Sequence, residues 1–250
     1  AKAVVSESVA NPYLYYSENV AGALNLLGAM VRNNVRKIVF SSTCATFGIP
    51  EETPIHERLR QAPINPYGHS KLFVEQILRD MGQSDGIQSA ILRYFNAAGC
   101  DPEGELGEDH TPETHLIPRA LQVAVGIEKK LIIYGNDYQT KDGSCVRDYV
   151  HVNDLGQAHI KAMRLLDRPD TKTVDFNLGS ENGYSVFEVV ESIERITKCK
   201  LPIEIGQRRP GDPPLLVAKS AKAHKILGWK PEFTLDQIVE TAYNWMQKKK

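Results

Sequence analysis

Apolar residues recur at intervals of three and four behind Asn11-Pro12, running from Tyr13, Leu14, Tyr15 and Tyr16 through Val20 to Leu24, Leu27, Met30 and Val31. A capping side chain followed by proline and an apolar stripe of that period predicts a helix from 11 to about 31. The pattern then changes. Arg36-Lys37-Ile38-Val39-Phe40-Ser41-Ser42 is a short apolar run ending in small hydroxyl residues, as a buried parallel strand does at its carboxyl end. A second helix follows from Pro66 through Phe73, Val74, Ile77 and Leu78, and a second buried strand from Gln88 to Asn96. Helix, strand, helix, strand is the α/β alternation.

Beyond Gly99 the texture shifts to an acidic, Gly- and Pro-containing loop from Asp101 to Pro112. A helix is predicted from Leu116 to Val125, then strands at Leu131 to Gly135 and Asp148 to Val152, with Asn153 or Asp154 capping a helix to Leu166. A strand at Thr173–Leu178, a helix at Ser185–Lys198, a strand at Pro202–Ile205, a Pro-rich turn at Arg208–Pro214 and a helix at Leu235–Met246 complete the pattern.

With 250 residues the chain is long enough for a substantial core, as one long domain or up to two smaller ones. A formal net charge of −1 gives no electrostatic case for nucleic acid or an anionic membrane, so an anionic ligand must be met by local cations. No apolar run reaches the roughly 18 residues of a membrane span, and the first residues lack the apolar core of a signal peptide. A cytoplasmic protein is expected. Cys44, Cys100, Cys145 and Cys199 are widely spaced, with no pair at zinc or redox spacing; they are expected to be reduced thiols, and no metal site is predicted.

Candidate chemistry begins at Asn65-Pro66-Tyr67-Gly68-His69-Ser70-Lys71. Tyr67 and Lys71 stand four apart and share a helical face. An ammonium held near a phenol favours the phenolate, so the pair is a candidate general base. Taken alone it means little, because 10 tyrosines and 30 basic residues in 250 produce about one such spacing by chance. Ligands of a doubly wound sheet bind outside the carboxyl ends of its strands. Ser41-Ser42-Thr43 and Asn96-Ala97-Ala98-Gly99 are two such ends.

Hydroxyl cluster, Tyr-Gly-His-Ser-Lys and Arg93-Tyr94-Phe95-Asn96 occur in order, with Gly135-Asn136-Asp137-Tyr138, the string Asp142 to Val152, and Arg208-Arg209-Pro210-Gly211-Asp212. On these motifs the whole chain resembles the UDP-glucose (UDP-galactose) 4-epimerases, extended short-chain dehydrogenases/reductases. The string 142–152 is the most specific of them. The resemblance implies an α/β fold: a partial doubly wound, Rossmann-like parallel sheet over residues 1–97 carrying the catalytic residues, and a smaller C-terminal α/β substrate-binding domain over 98–250. A segment near 148–180 is expected to return to the Rossmann sheet.

By position, the resemblance implies Tyr67 as catalytic base and acid, Lys71 on the nicotinamide ribose of NAD and lowering the tyrosine pKa, and Thr43 relaying or orienting the proton. Lys2, Asn19, Ser41, Ser42 and Tyr94 are implied beside the cofactor. Asn96 is implied at the substrate phosphates, His115 and Leu116 at the uridine, Tyr134 against the uracil, Arg147 and Arg209 on the diphosphate, and Asp212 on a ribose hydroxyl. Leu216 is implied beside the hexose, where a non-aromatic side chain is expected to admit N-acetylated sugars. A guanidinium fork suits a diphosphate on physical grounds as well. The implied activity is NAD-dependent epimerisation at C4 of a UDP-hexose through a transient 4-keto sugar, by a homodimer. UDP-pentose or UDP-uronate epimerisation, and a non-catalytic UDP-sugar-binding module, are the alternatives.

The family's opening strand and Gly-x-x-Gly-x-x-Gly turn, which bring the NAD pyrophosphate to a helix N-terminus, are not among these residues. Gly22 and Gly28 fall inside the first helix. The chain is therefore expected to be a fragment of a longer enzyme, or else a truncated homologue, and its sheet is expected to present an edge that needs cover.

Overall fold

Hydroxyl residues at the end of an apolar strand and a proline-started helix after it set the part of the fold that carries the candidate base. A computed structural model describes residues 1–168, 171–209 and 211–248, so Pro210 of the predicted turn lies outside the described residues. In chain order the elements are α1 (Val5–Ala10), α2 (Pro12–Tyr15), a π-helical stretch (Tyr16–Ala21), α3 (Gly22–Arg32), β1 (Lys37–Thr43), α4 (Pro66–Ser84), β2 (Gln88–Tyr94), β3 (Asn96–Ala98), α5 (Leu116–Ala124), β4 (Leu131–Tyr134) and β5 (Val146–His151). These are followed by α6 (Val152–Leu166), β6 (Val174–Leu178), β7 (Gly183–Ser185), α7 (Val186–Thr197), β8 (Ile203–Gly206), β9 (Leu215–Leu216), α8 (Ala221–Leu227) and α9 (Leu235–Lys248).

Two units emerge. The first comprises Ala1–Tyr94, Ala158–Leu178 and Lys219–Trp229. The last of these segments was expected in the C-terminal domain; its helix α8 is short and polar, with too weak a periodicity to be read ahead of the structure. The sheet of this unit is parallel, in the order β1-β2-β6, with Thr43 opposite Tyr94 and Arg93 opposite Asn177. Among the described residues no strand pairs with the other edge of β1. On one face α3 and α4 bury Leu27, Met30, Val74 and Leu78 against Ile87 and Ile91. Each fully buried side chain of this kind contributes about 1.5–3 kcal/mol.

The predicted continuous helix from 11 to 31 is interrupted. Asn11 caps α2 through its side chain, which accepts from Leu14 N, but the turn from Tyr16 to Ala21 widens to π geometry before α3 resumes. That wider turn carries Asn19, in keeping with the frequent placement of such turns at functional positions.

The second unit comprises Phe95–Gln157, Gly179–Ala218 and Lys230–Lys250. Its sheet is mixed, not purely parallel: β5 pairs parallel with β3 and β9 but antiparallel with β7. A separate parallel pair joins β4 and β8. Ile117 and Leu121 of α5, Val189 and Ile193 of α7, and Ile238 and Val239 of α9 form its core. Asp154 does not cap α6. It lies in the first turn, and its carboxylate accepts from the backbone N–H groups of Glu232 and Phe233 at 3.1 and 3.2 Å.

Candidate active site

In the first unit, the start of α4 is what places the tyrosine. The Asn65 side chain accepts from Gly68 N at 2.9 Å and Pro66 occupies the first turn, an N-terminus of the kind the sequence predicts. Gly68 has an ordinary helical backbone, so its lack of a side chain matters for space. A Cβ there would stand 2.5 Å from the Ala45 carbonyl oxygen and 2.9 Å from Pro63 Cβ. This close approach seats the first turn of α4 on the turn after β1 and brings the Tyr67 phenol beside the Thr43 hydroxyl.

Strand alternation then sorts the three hydroxyl residues. Thr43 is buried at the strand end, and its Oγ1 also accepts from Ala45 N at 3.1 Å. Ser41 supplies two groups: its carbonyl accepts from Lys71 Nζ at 2.9 Å, and its Oγ accepts from the Tyr94 hydroxyl at 2.6 Å. Ser42 points to the opposite face, donating at 2.6 Å to Glu75, which also receives a bidentate pair from buried Arg93 at 2.9 and 2.7 Å. The Ser42 hydroxyl, expected beside the cofactor, is thus directed to Glu75 instead. With a side-chain period of two, it shares a face with neither Ser41 nor Thr43.

Electrostatics differ from expectation too. Burial pushes the Tyr67 phenol up to about 12; the Thr43 hydroxyl, which favours the phenolate, pulls the other way and is outweighed. Lys71 is 7% exposed and burial pushes its ammonium down to about 8. Its N–H donates to the Ser41 carbonyl and its charge lies over the Phe40 ring, 5.0 Å from the ring centre. Of the three ammonium donors, the structure assigns one to a protein acceptor among the described residues. Two donors on a buried cation suit the vicinal hydroxyls of a ribose, which is the fit the nicotinamide end of NAD requires.

Asn19 is buried and fully engaged. Its Oδ1 accepts from Lys2 N at 2.7 Å, and its Nδ2 donates to Lys2 O at 3.0 Å and to Ser70 Oγ at 2.9 Å. Lys2 is thus held by its backbone, with the residue itself exposed. Two neighbours escaped sequence reasoning. His159, on the returning part of α6, lies with Nε2 2.7 Å from the Tyr94 hydroxyl, and Tyr15 packs edge-on to Tyr67 with ring centres 6.4 Å apart. Neither sits in a motif that names a partner. Beside Asn19 and Lys71 opens a cleft of about 330 Å³, otherwise lined mainly by apolar side chains such as Leu26, Ile38 and Phe40. Gly22 and Gly28 are helical, so neither forms a pyrophosphate turn.

The second unit holds the cationic residues. Arg147 on β5 is 11% exposed at its side chain; Nη2 donates to Asp212 at 2.6 Å and Nη1 to the Val146 carbonyl at 2.8 Å. The Asp212 carboxylate, expected on a ribose hydroxyl, is thereby also what orients the guanidinium. Leu216 is the β9 partner of Arg147. Arg209 stacks on Tyr134 with its guanidinium carbon 4.1 Å from the ring centre, a geometry that joins a cation and an aromatic face. Asn96 opens β3, half-buried, opposite Tyr149. His115 is the residue before α5 and Leu116 its first residue, but the His115 imidazole contacts Glu108 and Glu113.

The string 142–152 is occupied mainly in holding this unit together. Asp142 accepts from Ser144 N and Oγ at 2.9 and 2.8 Å and from Ser185. Asp148 is fully buried and accepts from Ser180 N and Oγ, Glu181 N and Ala218 N at 2.6–3.2 Å. Burial raises its pKa, opposed by those four bonds. His151 is pushed down to about 4 by burial, stacked on Phe233 and placed against Thr241.

All four cysteines are free thiols, and no helix among the described residues is long and apolar enough to cross a membrane.

The family model for GDP-mannose 4,6 dehydratase matches residues 1–242. The UDP-glucose 4-epimerase of Halalkalibacterium halodurans is 50% identical over 98% of this chain and 73% of the relative, and that of Lacticaseibacillus casei 49% identical over 97% and 73%. Among solved structures, UDP-glucose 4-epimerase from Brucella ovis in complex with NAD superposes with a TM-score of 0.94 at 46% identity, covering 98% of this chain and 75% of the other. The Bifidobacterium longum enzyme in complex with NAD+ and UDP gives 0.93 at 43%, covering 99% and 74%.

Proposed function

The chain belongs to the UDP-glucose 4-epimerases of the extended short-chain dehydrogenase/reductase family, and from that premise we propose that it epimerises C4 of a UDP-hexose, interconverting UDP-glucose and UDP-galactose, with NAD. The observation that carries the reading is the half-buried Tyr67 phenol placed beside the buried Thr43 hydroxyl, with buried Lys71 one helical turn on in α4.

Bound NAD would supply reversible hydride acceptance at C4 of the sugar. Everything else falls to the chain's own residues. Tyr67 accepts the proton of the 4-hydroxyl and gives it back, and Thr43 holds the phenolic oxygen and stabilises its anion. Lys71, anchored on the Ser41 carbonyl, offers its remaining N–H groups to the nicotinamide ribose. Tyr94, Ser41 and Asn19 fix the surroundings of that ammonium, and Lys2 is assigned to the cofactor's other side. In the second unit Arg147 and Arg209 bind the diphosphate, with Asn96 on the phosphates, Asp212 on a ribose hydroxyl while it orients Arg147, Tyr134 against the uracil, and His115 and Leu116 by the uridine. Leu216 borders the hexose. The working form proposed is a cytoplasmic homodimer, in which the first unit carries the chemistry and the second the nucleotide.

Tyr67→Phe keeps the ring packing and removes only the proton acceptor. Turnover is expected to fall by about 10²–10⁴, with the UDP affinity from calorimetry unchanged. An equal loss of turnover and UDP affinity refutes the assigned role.

A further inference from the structure

The loop between β3 and α5 brings two imidazoles and two carboxylates to one place. Glu108, His110, Glu113 and His115 each offer one ligand atom, and these atoms lie within 4.8 Å of one another. His110 Nδ1 is 3.0 Å from Glu108 Oε1 and 3.9 Å from Glu113 Oε2. His115 Nδ1 touches Glu108 Oε1 and is 3.5 Å from Glu113 Oε1. A tetrahedral zinc site with bonds of about 2.0–2.1 Å separates its donors by about 3.3 Å. The observed spacings fall on both sides of that value, from the His115–Glu108 contact out to 4.8 Å, so a bound ion would gather the donors by side-chain shifts of about an ångström.

Charge and framing support the same reading. The side chains of Glu108 and Glu113 are 19% and 6% exposed, and among the described residues neither pairs with a lysine or arginine. Two shielded carboxylates with only imidazoles as counter-groups are unusual unless a cation completes them. With neutral imidazoles, two carboxylates balance a divalent ion. The ligands are also held in place from outside. Thr114 N and His115 N donate to Glu113 Oε1 at 2.7 and 2.8 Å, leaving its second oxygen to face His110, and Trp245 Nε1 donates to the Glu108 carbonyl at 3.0 Å.

We propose that Glu108, His110, Glu113 and His115 form a binding site for a divalent transition-metal ion of the zinc class, which ties the loop ahead of α5. Two imidazole donors select zinc, cobalt or nickel over magnesium or calcium. The site does not use Tyr67, but it shares His115 with the uridine subsite proposed above, so metal and UDP are expected to compete for that imidazole.

The test is a competition titration of Zn²⁺ against a chromophoric chelator, using the 250-residue chain with Cys145 and Cys199 replaced by serine so that half-buried thiols do not contribute. One Zn²⁺ per chain is expected, with excess Mg²⁺ failing to displace it. His110→Ala and Glu113→Gln should each weaken binding by at least the roughly 10–100-fold that even an outer-shell partner is worth. Co²⁺ should give the visible absorption of a four-coordinate nitrogen and oxygen site, lost in His110→Ala. His110 is exposed, so that variant is expected to keep its far-UV circular dichroism. Absence of Zn²⁺ binding, or binding and cobalt absorption that persist in both variants, overturns the proposal.

Discussion

Lys71→Met separates the cost of keeping a buried ammonium from its use. In the folded chain Lys71 is pushed down from 10.5 to about 8 by burial, a drop worth roughly 3.4 kcal/mol at about 1.36 kcal/mol per tenfold change. Below pH 8 the native state carries that cost. Methionine removes it and leaves the Ser41 carbonyl without its donor, at about 1–3 kcal/mol. At pH 7 the variant should therefore be the more stable protein, by about 0.4–2.4 kcal/mol, while losing turnover. The pH dependence carries the sign. Between about 8 and 10.5 the unfolded lysine binds a proton that the folded one does not, so wild-type stability rises with pH across that window, relative to a chain lacking the group. Urea unfolding of both proteins at several pH values from 7 to 10.5 measures this, because other titrating groups cancel in the difference. The order of stability should invert near the top of the window. A difference that stays flat with pH, or a variant less stable at pH 7, refutes the account of Lys71 as a desolvated cation.

Thr43→Val keeps the shape and removes the hydroxyl that lowers the Tyr67 phenol, so the rising limb of the kcat/KM profile should move to higher pH, with turnover at pH 7 reduced; an unmoved limb removes Thr43 from the proton transfer. Gly68→Ala places a Cβ 2.5 Å from the Ala45 carbonyl, so α4 must lift from the turn after β1, and kcat should drop more than tenfold; a crystal structure of the variant shows whether the Thr43–Tyr67 contact opens. Arg147→Met leaves Asp212 without its cation, and UDP affinity measured by calorimetry should weaken by about 2–4 kcal/mol; unchanged affinity takes Arg147 out of the diphosphate site.

Tyr67 and Lys71 mark where local information stops. Their shared helical face, the Asn65-Pro66 start of α4 and the hydroxyl-ended strand β1 follow from spacing and capping, which act within a turn or two of the chain. The helices and strands around the core are legible for the same reason. The motif order, met as a resemblance, names the candidate residues on both units. Tertiary structure alone decides what those residues experience. Tyr67 is raised and Lys71 lowered because other segments desolvate them, and no feature of residues 65–72 encodes how deeply the rest of the chain will cover that turn. Ser42 is drawn to Glu75, 33 positions away, and Tyr94 finds His159 at a separation of 65. The gathering of Glu108, His110, Glu113 and His115 depends on a loop path that composition marks only as irregular. Sequence by itself determined which chemical groups are present and which lie on one face of one element. Desolvation and partners remote in the chain, which set the charge each group can hold, were decided only by the folded packing.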